Sequence, residues 1–201
     1  MRVLVTGAKG QLGSDLLCEL SKRNIESVGI DIEDLDITDA AATKKVIEDI
    51  NNKAKLDAII HCAAYTAVDA AEDNEALVTK INAEGTKNIA EVAKTLDVAM
   101  MYISTDYVFD GEGKRPWEPD DKRAPLNVYG MAKYKGELYV EELVKKCFIV
   151  RISWVFGLHG NNFIKTMLRL GKERGAVSVV NDQIGSPTYT PDLSRLLADM
   201  I

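Results

Sequence analysis

Tyr129 and Lys133 stand four residues apart, as Y-x-x-x-K, near the start of a segment whose pattern predicts a helix over 128–145. At that spacing the two side chains lie one turn apart on one helix face and can act on a single atom. The chemistry open to them is proton transfer. A tyrosine with an ordinary pKa of about 10 is a sluggish acid at neutral pH, and a neighbouring ammonium favours the phenolate and brings the group nearer its working range. Proton exchange with a carbonyl or alcohol oxygen then becomes feasible. Ser104-Thr105 closes an apolar run, where a hydroxyl can fix the reacting oxygen. A Tyr/Lys pair at this spacing is by itself more often an exposed helix face, so the surrounding elements must decide.

Those elements begin with Thr6-Gly7-Ala8-Lys9-Gly10-Gln11-Leu12-Gly13, directly after an apolar run and opening a helical pattern. The spacing G-x-x-G-x-x-G meets three demands of a dinucleotide cradle: a tight turn at Gly7, close backbone approach to a pyrophosphate at Gly10, and close helix-on-strand packing at Gly13. The helix amino terminus adds unpaired N–H groups for the phosphates. Asp31 follows the second apolar run, 18 positions after Gly13, where an acidic side chain can accept hydrogen bonds from an adenosine ribose. Asp31 and Glu33 repel a 2′-phosphate, and no arginine follows immediately, which favours NADH over NADPH.

The order of the remaining elements predicts how these groups meet. Arg2–Val5, Ser27–Ile30, Ala58–Cys62, Ala99–Ser104, Phe148–Ser153 and Val177–Val180 read as buried strands. Amphipathic segments at Gln11–Lys22, Ala40–Asn51, Ala76–Lys94, Val128–Lys145 and Asn162–Arg174 supply the crossovers, so the expected fold is α/β, a Rossmann-type doubly wound parallel sheet in a single NAD(P)-binding domain over 1–201. The long irregular stretch Asp106–Asn127 leaves a strand at its carboxyl end, where ligand crevices form.

Bulk properties narrow the function. The net charge of −6 offers no positive field for a phosphate backbone, which argues against nucleic acid, and Lys145-Lys146 reads as a solvated helix terminus. Three scattered cysteines, Cys18, Cys62 and Cys147, fit a reducing compartment, and no run approaches a membrane span, so the expected location is cytoplasmic. His61 and His159 lack ligand spacing, so no metal site is expected. Trp117 and Trp154 read as partly buried anchors, with Trp154 placed to wall a pocket.

Taken together these strings resemble the dTDP-4-dehydrorhamnose reductase family of extended short-chain dehydrogenase/reductases, over essentially the whole chain. The specific segments are Ser104-Thr105-Asp106-Tyr107-Val108-Phe109-Asp110-Gly111 and Asn181-Asp182-Gln183-x-Gly185-x-Pro187-Thr188. Asp34–Asp39, Ala63–Asp69, Pro125–Lys133, Arg151–Val155 and Gly160–Phe163 extend the likeness. The resemblance implies Thr105 as catalytic hydroxyl, Tyr129 as proton donor, and Lys133 as the residue that tunes it and holds the nicotinamide ribose. It implies cofactor contacts from Gly10, Gln11 and Leu12 at the pyrophosphate, Asp36 and Ile37 at the adenine, and Ala63, Ala64, Tyr65 and Thr66 beyond the third strand. Thr105, Asp106 and Trp154 fall to the substrate side, with 152–201 contributing part of that region.

The implied reaction is reduction of dTDP-4-dehydro-L-rhamnose to dTDP-L-rhamnose with NADPH or NADH, in an enzyme that commonly forms homodimers. Members of the family are longer, with a carboxyl-terminal region that finishes the sugar-nucleotide pocket. The expectation is therefore an incomplete substrate region, with cofactor binding but poor turnover. The alternatives are a non-catalytic dinucleotide-binding regulatory or scaffold subunit, against which intact Thr105, Tyr129 and Lys133 argue, or a sugar-nucleotide epimerase or dehydratase that retains its cofactor.

Overall fold

The computed structural model of the chain describes residues 1–201, built on five parallel strands: β1 (Arg2–Thr6), β2 (Glu26–Ile30), β3 (Ala58–His61), β4 (Ala99–Thr105) and β5 (Cys147–Ile152). Their order in the sheet is β2-β1-β3-β4-β5. The winding reverses between β1 and β3, and at such a reversal the connecting loops part and leave a crevice at the carboxyl ends of the strands.

The strands are short apolar runs because both faces are covered. In β1, Val3 and Val5 face α1 (Gln11–Lys22) and α8 (Thr190–Met200), packing with Leu12, Leu16, Leu20, Leu193 and Leu197. Leu4 faces the other way, into a cluster with Ile47 of α2 (Ala40–Lys53), Ile89 of α5 (Thr86–Leu96) and Val140 of α6 (Val128–Leu143). Alternation along β4 repeats this division: Met101 and Ile103 join the first cluster, Met100 and Tyr102 the second.

Several boundaries agree with the sequence pattern, α1 to the residue. Three expectations are corrected. The segment Ala76–Lys94 is α4 (Glu75–Thr79), a π-helical stretch Lys80–Gly85 and α5, with the short α3 (Val68–Ala71) before them. Lys145 and Lys146 lie beyond the end of α6, in the link to β5. Val177–Val180 is not a strand and is exposed, because no sheet edge receives it. A separate two-stranded ladder instead pairs β6 (Val155–Phe156) with β7 (Thr188–Tyr189), on either side of α7 (Phe163–Arg174). No helix is long and apolar enough to cross a membrane.

Candidate active site

The crevice at the β1/β3 reversal is a cleft of about 1200 Å³. Its floor is the glycine loop. Gly7 has φ +67°, and a Cβ there would lie 2.7 Å from the Ala63 backbone nitrogen, so only glycine lets the first turn pass against the end of β3. A Cβ on Gly13 would collide with the Gly7 carbonyl. Gly10 caps α1 in an extended conformation with no side-chain hydrogen bond, and the first turn of α1 has no acidic residue. That leaves a helix terminus suited to an anion.

Asp31 braces this floor: its carboxylate accepts from the Lys9 backbone N–H at 2.7 Å and from the Ile32 N–H at 2.8 Å. Lys9 Nζ pairs with Glu33 at 3.1 Å, and both side chains are solvent-exposed. Asp36 accepts from the Thr38 N–H at 2.9 Å, and hydrogen bonds from Thr38 hold its carboxyl below the usual range.

The opposite wall rises from α6. Asn127 caps the helix by accepting from the Gly130 N–H at 2.7 Å, and Glu72 accepts from the Val128 N–H at 2.9 Å, which fixes the first turn. A Cβ on Gly130 would strike the Tyr107 carbonyl, so the turn packs directly on the segment after β4. Tyr129 is thereby buried, with the Tyr107 ring edge-on at 6.0 Å. Thr105, at the end of β4, donates to Asp106 at 3.1 Å, accepts from the Tyr107 N–H at 3.2 Å, and lies beside the Tyr129 phenol. Lys133 is 2% exposed, with its ammonium 4.1 Å from the centre of the Tyr102 ring.

The electrostatics differ from the expected tuning. Burial pushes the Tyr129 phenol up to about 12, against a smaller downward pull from the Thr105 hydroxyl. Burial also lowers the Lys133 ammonium to about 7, with Glu137 and Cys62 opposing. Tyr129 is thus a neutral, protonated phenol across the physiological range, and desolvation outweighs any help from the lysine. Burial raises the Asp106 carboxyl above its ordinary value.

Each residue assigned from the sequence to catalysis, cofactor or substrate lines this one cleft. Gly7, Gly10, Gln11, Leu12, Gly13, Asp31, Asp36 and Ile37 line one side, and Ala63, Ala64, Tyr65 and Thr66 the end of β3. Thr105, Asp106, Tyr129, Lys133 and Trp154 complete the rim. Trp154 has φ +47° and is half exposed, so it is a rim residue rather than an anchor, whereas Trp117 stacks on Phe109 at 4.6 Å.

His61 is a satisfied core histidine: Nδ1 lies 2.6 Å from the Thr6 hydroxyl, Nε2 3.1 Å from that of Thr86, and burial pushes its pKa down to about 3. No group of three His, Cys, Asp or Glu side chains is arranged to hold a metal ion.

Three contributors were given no role in the sequence reading. Asn82, in the π-helical stretch, accepts from the Tyr65 N–H at 2.8 Å and donates to the Tyr65 carbonyl at 2.9 Å, fixing the backbone on the cofactor side. Asn162 donates to Gln11 Oε1 and to the Gly157 carbonyl, each at 3.0 Å, tying the carboxyl-terminal segment to the glycine loop. Glu137, the next residue in the four-residue series after Tyr129 and Lys133, is fully buried behind the wall. That spacing was its only signal.

A doubly wound sheet with a glycine-loop cradle, faced by Tyr and Lys on one helix, defines a Rossmann-type protein of the short-chain dehydrogenase/reductase class. The chain belongs to the family described as RmlD substrate binding domain, whose model matches residues 1–201. A dTDP-4-dehydrorhamnose reductase of Mycobacterium tuberculosis (strain ATCC 25618 / H37Rv) is 40% identical over 201 residues, covering 98% of this chain and 64% of that protein. One from Aggregatibacter actinomycetemcomitans is 43% identical over 197 residues, covering 98% and 66%. A crystal structure of the Bacillus anthracis dTDP-4-dehydrorhamnose reductase in complex with NADP superposes with a TM-score of 0.93 at 47% identity, covering 99% of this chain and 69% of that one. The chain thus spans a little under two thirds of the length of these two curated relatives.

Proposed function

We propose that this chain carries the catalytic centre of a dTDP-4-dehydrorhamnose reductase, reducing the 4-keto group of dTDP-4-dehydro-L-rhamnose to give dTDP-L-rhamnose. The observation that carries this reading is the convergence of Thr105, Tyr129 and Lys133 on the cleft that the glycine loop opens. Glycine positions that admit no Cβ and an uncapped helix terminus fit a pyrophosphate, and the cleft volume suits a dinucleotide with a second ligand beside it.

A nicotinamide cofactor bound there supplies the hydride. The remaining chemistry falls to the protein. The Thr105 hydroxyl holds the ketone oxygen, and the Tyr129 phenol, protonated at neutral pH, gives its proton to that oxygen as negative charge develops. One hydride and one proton added across the carbonyl complete the alcohol. Lys133, when charged, holds the ribose hydroxyls and stabilises the phenolate that Tyr129 becomes. Asp106 and Trp154 border the sugar, and of residues 152–201 those from Ile152 to Phe163 form part of its enclosure, while Leu193 and Leu197 pack in the core instead.

Both NADH and NADPH are accepted in this reading. Asp31 and Glu33 favour NADH by repulsion of a 2′-phosphate, while Lys9 offsets part of that charge and the Bacillus anthracis relative holds NADP. A cytoplasmic location and a homodimer complete the proposal.

The test is NADH oxidation with dTDP-4-dehydro-L-rhamnose, run beside Tyr129→Phe. We expect a loss of about 100-fold or more in the variant, with NADH affinity little changed. An equal rate in the variant would remove the tyrosine from the reaction.

A further inference from the structure

Behind the reactive wall lies a buried charge cluster that the proposed reaction does not use directly. Glu137 is 0% exposed, yet four donors converge on its carboxylate. Ser104 Oγ donates at 2.6 Å, Arg151 Nε and Nη2 at 2.9 Å each, and Arg123 Nη1 at 3.0 Å. Arg123 also reaches Glu141, and Arg151 donates to the Pro119 carbonyl at 2.8 Å. One carboxylate therefore joins α6 to the end of β4, to β5 and to the proline-containing loop that follows Thr105.

Burying a carboxylate is costly unless it is paired, so a merely structural tie would more simply be apolar. Burial alone would raise the Glu137 carboxyl, but the bonds from Arg151, Ser104 and Arg123 outweigh it and hold the group below the ordinary range. Glu137 is thus an anion at neutral pH, one turn along the helix from Lys133, itself 2% exposed. The other groups facing Lys133 are His61 and Cys62 at the end of β3, the Tyr102 ring on β4, and Tyr129 on its own helix. Burial keeps His61 neutral and the thiol protonated, so neither carries charge near pH 7. Among these neighbours Glu137 alone is an anion.

We propose that Glu137 is a positioning residue of this site: its buried carboxylate locks the Ser104-Thr105 end of β4 to α6 and supplies a counter-charge, one turn away, that favours the ammonium form of Lys133. The inference rests on the reading of Lys133 as part of the reaction centre, but the link between the two residues can be measured without turnover. Ser104, bonded to Glu137, and its neighbour Thr105 both line the cleft, so the bond that fixes the strand end also fixes the Thr105 hydroxyl next to it.

The experiment is a pH titration of the Lys133 ammonium by NMR on the full chain labelled with ε-15N lysine, the signal assigned by its loss in Lys133→Met. In Glu137→Gln the midpoint should fall by about one pH unit or more, the effect of losing an opposite charge nearby. Glu137→Asp, which keeps the charge, should restore most of that shift. Glu141→Gln, which removes the outer partner of Arg123, should leave the midpoint in place. A midpoint unchanged in Glu137→Gln overturns the proposal.

If Glu137→Gln does not fold, Arg123→Gln tests the link with the opposite sign. It removes a cation from the same carboxylate, so the Lys133 midpoint should rise, and no rise overturns the proposal. NADH binding followed across the same pH range separates the two readings. If no variant nor the parent binds NADH, the redox assignment fails while the titration still decides the Glu137–Lys133 link. If NADH binds and the Lys133 midpoint does not respond, only the present inference fails.

Discussion

Residues 2–152 and residues 153–189 use the same kinds of amphipathic segment with opposite results. In the first region, Leu4, Leu16, Ile59, Ile60, Met100 and Met101 are wholly buried between helices on both faces of the sheet. In the second, only Gly157 is buried, and α7 presents Phe163, Ile164 and Leu168 to solvent without a single buried residue. An apolar stripe at helical spacing thus predicts a helix, but burial depends on a partner that the segment itself does not specify. The reactive wall and the glycine loop belong to the packed region, while the open region supplies rim residues such as Trp154.

The sharpest way to break this contrast is a matched pair of truncations. Leu4→Ala should cost about 2–5 kcal/mol in urea unfolding, the range for a fully buried leucine, whereas Leu168→Ala should change stability by less than about 0.5 kcal/mol. Equal costs would mean that α7 is packed as tightly as the sheet.

The buried histidine of the packed region is next in size. With a native pKa near 3 against about 6.5 when unfolded, His61 binds fewer protons in the native state between those values. Stability therefore rises with pH through that window and is lost as pH falls, by about 2 kcal/mol at pH 5. His61→Asn should remove that acid sensitivity from the stability curve. An acid limb that survives in His61→Asn would assign it elsewhere.

A smaller effect concerns the one tie between the two regions at the glycine loop. Asn162→Ala loses the bond to Gln11, and NADH affinity should weaken by roughly fivefold, the equivalent of about 1 kcal/mol for one hydrogen bond. Calorimetric titration reads this directly, and an unchanged affinity would show that the open segment does not order the cradle.

The sequence was most legible where local chemistry dictates structure. The turn at Gly7, the boundaries of α1, the five strands of the sheet and the start of α6 at Val128 follow from glycine spacing, apolar runs and helical pattern. It was less legible where remote partners decide. Val177–Val180 has the composition of a strand but no edge to join. The π-helical turn that brings Asn82 to the Tyr65 backbone leaves no mark in helical periodicity. Glu137 reads as one more helix-surface charge until Ser104, Arg123 and Arg151, distant in sequence, are seen to enclose it. The direction of the Tyr129 shift was misread for a similar reason: spacing reveals the lysine, but not the desolvation that exceeds its effect.

The most direct test of the account is a crystal structure of this chain with NADH. The pyrophosphate should rest on the backbone of Gly10, Gln11 and Leu12, with the nicotinamide ring against Tyr129 and Lys133 on the facing wall. A dinucleotide seated away from the glycine loop, or a nicotinamide pointing out of the cleft away from those two side chains, would contradict it.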